Sequence, residues 1–171
     1  GSCNFPTMIY ENHPELVAEL AAAMQRHAVK PEIEVFDLSM LYTAFEMAER
    51  GELAAPLHVQ FVLGIKNAMP ANREVLEFEV AQLAKHMPEA TWTAAGIGRH
   101  QLEVNHWALE MGGHCRTGLE DNIRFDKHRL AESNAELVQR VAGLCADYGR
   151  HPASCAEARR LLSLPAAVPA G

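Results

Sequence analysis

The sequence predicts an α/β fold of parallel strands, arranged as the second half of a TIM (β/α)8 barrel. Three observations predict it. Segments of helical period and segments of strand period alternate along the chain. Four full strand–helix units fit into 171 residues, too few to close an eight-stranded barrel, which needs about 200 residues or more. Polar residues stand at or on several strands (Glu32, Glu34, His58, Gln60, Arg116, Glu120), whereas an open flavodoxin-like sheet, the alternative, favours near-continuous apolar strands.

The elements follow in order. The opening Gly1-Ser2-Cys3-Asn4-Phe5 reads as a strand end. Asn12 is placed to cap a helix with Pro14 in its first turn. Leu16, Leu20 and Met24 then recur every four residues, and Val17 and Ala21 widen that face. Alternation over 32–37 predicts a strand. Met40, Leu41, Ala44, Phe45 and Ala48 predict a helix stopped at Gly51. A second strand is expected over 57–64. Asn72 caps a helix to about His86, with Val75, Leu76, Val80 and Leu83 inward. A third strand over 91–98 ends in a glycine loop, and the helix over 100–111 offers Leu102, Trp107 and Leu109 to the core.

A Gly112-Gly113 turn leads into a fourth strand. Ser133 and Glu136 form a capping box for a helix reaching Tyr148, with Leu137, Val138, Val141, Leu144 and Cys145 inward. A second capping box, Ser154 and Glu157, starts a short last helix. Residues 1–164 are expected to form one barrel half, and 165–171 a frayed tail.

Fifteen basic against 22 acidic residues leave a net charge of -7, and no basic run stands out, which excludes nucleic-acid binding. The four cysteines form no CxxC pair, so reduced thiols and a cytoplasmic location are expected. No apolar run approaches the ~20 residues that span a membrane, and the opening residues show no signal-peptide pattern.

The most informative stretch is Gly112-Gly113-His114-Cys115-Arg116-Thr117-Gly118-Leu119-Glu120-Asp121-Asn122. On a strand, Arg116, Gly118 and Glu120 share a face. A charged pair there is costly in a packed core but suits the mouth of a site for anions or metals. Asp121 follows where strand gives way to loop, the place where chemistry sits in an α/β barrel. Taken alone, Glu120 and Arg116 could equally be a structural ion pair, and the three residues could serve an aldolase-type enzyme using a divalent cation such as Mg²⁺. Glu34, near a strand end, is placed to meet a substrate amine or hydroxyl, and Glu32 lies deeper. His58 and Gln60 read as structural, and His114 as a satisfied histidine at the opposite end. Arg99, after Gly96-Ile97-Gly98, could meet a phosphate. The remaining histidines read as solvent-facing.

The string GGHCRTGLEDN resembles the β-keto acid cleavage enzyme family, known best for 3-keto-5-aminohexanoate cleavage. Similar blocks occur in family order: 1–5, Pro31 to Asp37, Val59 to Gly64, Gly96 to Arg99 and Ser133 to Val138. The resemblance covers residue 1 to about 164. It implies a zinc-dependent TIM barrel that condenses a β-keto acid with acetyl-CoA, giving acetoacetate and a new CoA ester. In that family two histidines of an H-x-H motif and a last-strand glutamate hold Zn2+; Glu120 matches the glutamate. No H-x-H occurs in this sequence. The two histidines are therefore expected in an N-terminal half not included here, with Gly1 near the end of the family's strand 4 and the chain running through helix 8 plus a C-terminal helix. This polypeptide alone is expected to be inactive, or to act only in assembly. The resemblance further implies Asp121 as general base, Arg116 as its electrostatic partner, Ser2 as a substrate contact, acetyl-CoA as co-substrate with Arg99 toward its phosphates, and a homo-oligomer, dimer or tetramer.

Overall fold

The computed structural model describes residues 1–164, so the expected fraying of 165–171 lies outside the described residues. Four parallel strands form the sheet: β3 (Ile33–Val35), β4 (His58–Leu63), β5 (Thr91–Gly96) and β6 (His114–Cys115). They lie side by side in chain order, without the reversal that marks a doubly wound sheet. The opening residues do not join them. β1 (Cys3–Asn4) pairs antiparallel with β2 (Ile9–Tyr10) in a separate hairpin, where the sequence reading expected the end of a barrel strand. Stacking of Phe5 on Tyr10, with Phe36 edge-on to both, ties this hairpin down.

Six helices follow: α1 (Pro14–Arg26), α2 (Leu38–Glu49), α3 (Arg73–His86), α4 (Gln101–Glu110), α5 (Asn134–Leu144) and α6 (Cys155–Leu161). Asn72 caps α3 through Glu74 N–H, and Asp37, read as the last strand residue, instead caps α2 through Ser39 N–H. Ser154 and Glu157 form the expected box on α6. Two expected caps differ. Asn12 does not cap α1: Pro14 occupies the first turn and forces the preceding His13 into an extended conformation at the boundary. Ser133 does cap α5, but the Glu136 carboxylate bonds Glu132 N–H and Arg129 instead of closing the box.

Period-two alternation separates the sheet's faces. Val35, Val59, Phe61 and Ala94 point to one side and join Leu41, Phe45, Leu76, Leu83, Val104 and Ala108 in the core. The register places Glu34 beside Gln60, Gln60 beside Thr93, and Thr93 beside His114 on the other side. This second face is therefore polar across all four strands. Two inward assignments fail because the sheet stops short of them. Leu16 and Leu20 of α1 are 43% and 48% exposed, since β3 pairs only with β4 and leaves a cleft of about 220 Å³ between α1, β3 and α2. Val138 of α5 is 53% exposed beyond β6. Leu102 is only half-buried: Gln101, Val104, Asn105 and Ala108 face the sheet in its place.

Candidate functional site

The site forms where β6 ends. Arg116 N–H donates to the Ala94 carbonyl (3.1 Å), the last ladder bond to β5. The expected strand through Glu120 is thus a two-residue strand followed by a turn, and Glu120 lies in that turn instead of sharing a strand face with Arg116. Side chains from two helices pull the chain away. Gln101 Nε2 of α4 donates to the Gly118 carbonyl (2.8 Å), and Asn134 Oδ1 of α5 accepts from Leu119 N–H (2.7 Å). Gly98 N–H, in the short 3-10 turn after β5, donates to the Asp121 carbonyl (2.7 Å). Asp121 is thereby fixed against Arg116.

Arg116 uses every N–H it has. Nε donates to Asp121 Oδ2 (2.9 Å) and Nη2 to Asp121 Oδ1 (2.8 Å), a bidentate pair. Nη2 also donates to Glu120 Oε2 (3.1 Å), and Nη1 to Glu34 Oε1 (2.9 Å) and Gln60 Oε1 (2.6 Å). A guanidinium has five donors, and all are engaged. Three carboxylates around one cation leave a net charge of -2. Burial works against the Arg116 charge, yet Asp121, Glu34 and Glu120 outweigh it and hold its pKa above the ordinary value. The Asp121 side chain is 4% exposed and that of Glu120 86%, so one carboxylate is enclosed and the other free on its outer side.

Below this cluster the polar face continues. Gln60 Nε2 donates to Glu32 Oε1 (2.7 Å), and His58 Nε2 lies 3.4 Å from the same oxygen. His58 also contacts the hydroxyls of Thr91 (2.7 Å) and Thr93 (3.1 Å). The contact with His58 holds the Glu32 carboxyl below its usual range; burial opposes this and the Gln60 bond adds to it. His114, 6.2 Å from His58 ring to ring, has its pKa lowered by burial first and then by His58 and Arg150.

Sequence reasoning placed Arg116, Glu120, Asp121 and Glu34 together, and the structure joins all four. Arg99 does not touch Arg116, but it shares a cavity of about 430 Å³ with Glu120, Asp121 and Arg124. Ser2 stands apart from the cluster: its hydroxyl accepts from Asn12 N–H (2.7 Å). Gln60, read as structural, is instead a direct partner of Arg116. The signal was present in the pairs 32/34, 58/60, 91/93 and 114/116, two apart on or directly beside four successive strands. Among the described residues no three of His, Cys, Asp or Glu converge to hold a metal ion. A zinc site does not fit on this chain's residues alone; Glu120 can offer one carboxylate to it.

The chain is thus an α/β protein with a parallel sheet, and its charged cluster lies beyond the carboxyl ends of the strands, the end where such proteins carry their sites. The sequence model of the beta-keto acid cleavage enzyme family matches residues 1–164, and the chain belongs to that family. It is 60% identical over 165 residues to the 3-oxoadipate:acetyl-CoA acetyltransferase of Cupriavidus necator, covering 96% of this chain and 58% of that protein. It is 42% identical over 166 residues to the 3-keto-5-aminohexanoate cleavage enzyme of Fusobacterium nucleatum, covering 96% and 59%. The chain thus spans under two thirds of the length of these relatives. The ternary complex of ObcA with a C4-CoA adduct and oxalate shares its fold at a TM-score of 0.85 and 18% identity, covering 96% of this chain and 44% of that one.

Proposed function

We propose that this chain supplies the base, the arginine and one metal-binding carboxylate of an acetyl-CoA-dependent transferase that cleaves a β-keto acid, with 3-oxoadipate as the favoured substrate. The bidentate Arg116–Asp121 pair carries the reading: an enclosed carboxylate is locked in one orientation at the mouth of the sheet. The similarity to the Cupriavidus necator acetyltransferase supports the substrate. In this reading the four strands are half of a single TIM-barrel domain, and the polar sheet face is the barrel interior.

Each Asp121 oxygen accepts one bond from Arg116 and keeps a lone pair for a substrate proton. The substrate carbon so deprotonated adds to the acetyl-CoA thioester. Collapse expels CoA thiolate, which adds to the substrate's keto carbon; cleavage of the bond between that carbon and the acetylated carbon gives the new CoA ester and acetoacetate, whose carbon takes back the proton held by Asp121. Arg116 orients Asp121 throughout and balances charge developing on oxygen. Glu34 faces the substrate's far end, and Ser2, apart from the cluster, is left as a further substrate contact. Arg99 and Arg124, lining the cavity beside Asp121, meet CoA phosphates. Glu120 would offer one carboxylate to zinc, with two imidazoles supplied from outside these 171 residues, and the metal would supply Lewis-acid polarisation of the keto oxygen. The whole enzyme is a homo-oligomer of the cytoplasm.

The test is acetoacetate formation from 3-oxoadipate and acetyl-CoA, by this chain alone and mixed with the part of the Cupriavidus necator relative that it does not cover. The mixture is expected to turn over, to bind zinc and to lose both with Glu120→Ala. No acetoacetate from the mixture, once it is shown to assemble, overturns the reading.

A further inference from the structure

We infer that Gln60 is a positioning residue for Arg116, and that a side-chain relay, Arg116–Gln60–Glu32–His58, with Gln60 and His58 buried, sets the orientation of the arginine that holds Asp121. The inference rests on the proposed role of Asp121 as base, but the relay is a property of the fold.

Gln60 sits on β4 and is 4% exposed. Its amide has no freedom to flip. The oxygen must face Arg116 Nη1 (2.6 Å), which can only donate, and the nitrogen must face Glu32 Oε1 (2.7 Å), which as a carboxylate can only accept. Glu32 is held in turn by His58, and His58 by the hydroxyls of Thr91 and Thr93 on β5. The relay thus runs from Arg116 just after β6, across β4, to the residue preceding β3, and back to β5. It anchors one edge of the guanidinium to the part of the sheet with the longest ladder, which pairs six residues of β4 with six of β5. The other edge is then aimed at Asp121. Without Gln60, Arg116 would be held on that side by Glu34 alone, a side chain 38% exposed. Because the planar fork is rigid, a tilt at Nη1 is a tilt at Nε and Nη2.

The test compares Gln60→Leu, which keeps the volume and removes both bonds, with the exchange Glu32→Gln plus Gln60→Glu. The exchange keeps every donor matched to an acceptor: the carboxylate at 60 accepts from Arg116 and from the amide nitrogen at 32, which takes the place of the shared Glu32 Oε1 and gives its second N–H to His58 Nε2 in the Nδ1–H tautomer. Turnover is measured on the assembled enzyme, and solvent exchange of the Arg116 Nε–H by NMR on the folded chain. Gln60→Leu is expected to lower kcat by about 30- to 100-fold, with KM changed less than about threefold and Nε–H exchange accelerated. The exchanged pair is expected to recover kcat to within about threefold of the parent and to slow Nε–H exchange again. Unchanged kcat and exchange in Gln60→Leu overturn the inference. So does a folded exchanged pair as impaired as Gln60→Leu. If no protein turns over, the NMR arm still decides: protection lost and then regained upholds the relay while the proposed activity fails.

Discussion

At the scale of single residues, the site depends on one cation shared by three carboxylates and an amide. Asp121→Asn replaces one acceptor oxygen by an amide nitrogen that cannot accept from Arg116, and it removes the proposed base. It is expected to abolish acetoacetate formation while zinc stays bound in the assembled enzyme; loss of metal together with activity would refute the separation of Asp121 from Glu120. Arg116→Lys keeps the charge but offers three donors in place of five and no planar fork. The expected cost is about 1–3 kcal/mol of stability, read as a lower urea midpoint.

A second buried acid behaves differently. Glu79 on α3 is 1% exposed, both its oxygens lack a hydrogen-bond partner, and burial, helped by Asp37, pushes its carboxyl up from 4.5 to about 8. Between those values the folded chain keeps a proton that the unfolded chain releases. This contribution to stability is therefore full below the ordinary carboxyl range and is lost as pH rises toward 8. Denaturant titrations should show a slope approaching about 1.4 kcal/mol per pH unit in that window, and Glu79→Gln should flatten it.

At the scale of elements, close packing fixes where the site strand can lie. A Cβ on Gly113 would sit 2.3 Å from the Trp92 ring, so only glycine lets β6 approach β5 there. Gly113→Ala is expected to cost about 1–3 kcal/mol and to shift Trp92 fluorescence. The alternation of helices and strands was legible because each core element carries its own period. The caps at Asn72 and Ser154 were legible because they are local. Strand length at β6 was not: its end is set by Gln101 and Asn134, side chains from helices before and after it. The outward turn of Leu16, Leu20 and Val138 was equally hidden, since their apolar spacing is that of a buried face and the sheet simply ends beside them. Arg116, Asp121, Glu120 and Glu34 could be picked out because charges are rare at the ends of core strands, although only Glu34 lies within one. Gln60 carried the same two-apart spacing with His58, but a neutral amide names its partners only once Arg116 and Glu32 are placed.

At the scale of the whole molecule, both edges of the sheet are open among the described residues: there β3 pairs only with β4 and β6 only with β5. Exposed Leu16, Leu20, Met8 and Ile9 lie near the first edge in sequence, and Val138 flanks the groove at the second. Open edges with apolar flanks favour association. The isolated chain should therefore elute above its monomer size at micromolar concentration, and shift toward a defined complex when the uncovered part of its relative is added. A monodisperse monomer under both conditions would count against the half-barrel proposal. Among the described residues no helix is long and apolar enough to cross a membrane.

The ladders shorten away from the centre, from six pairs between β4 and β5 to three at β3 and two at β6. Amide deuteration should accordingly spread inward from the two margins, reaching β4 and β5 last. Local opening will therefore start on the strand that bears the site, and Arg116 will leave its partners long before the domain unravels. A ligand that braces the mouth should slow deuterium uptake at β6 far more than it raises the temperature at which the whole chain melts.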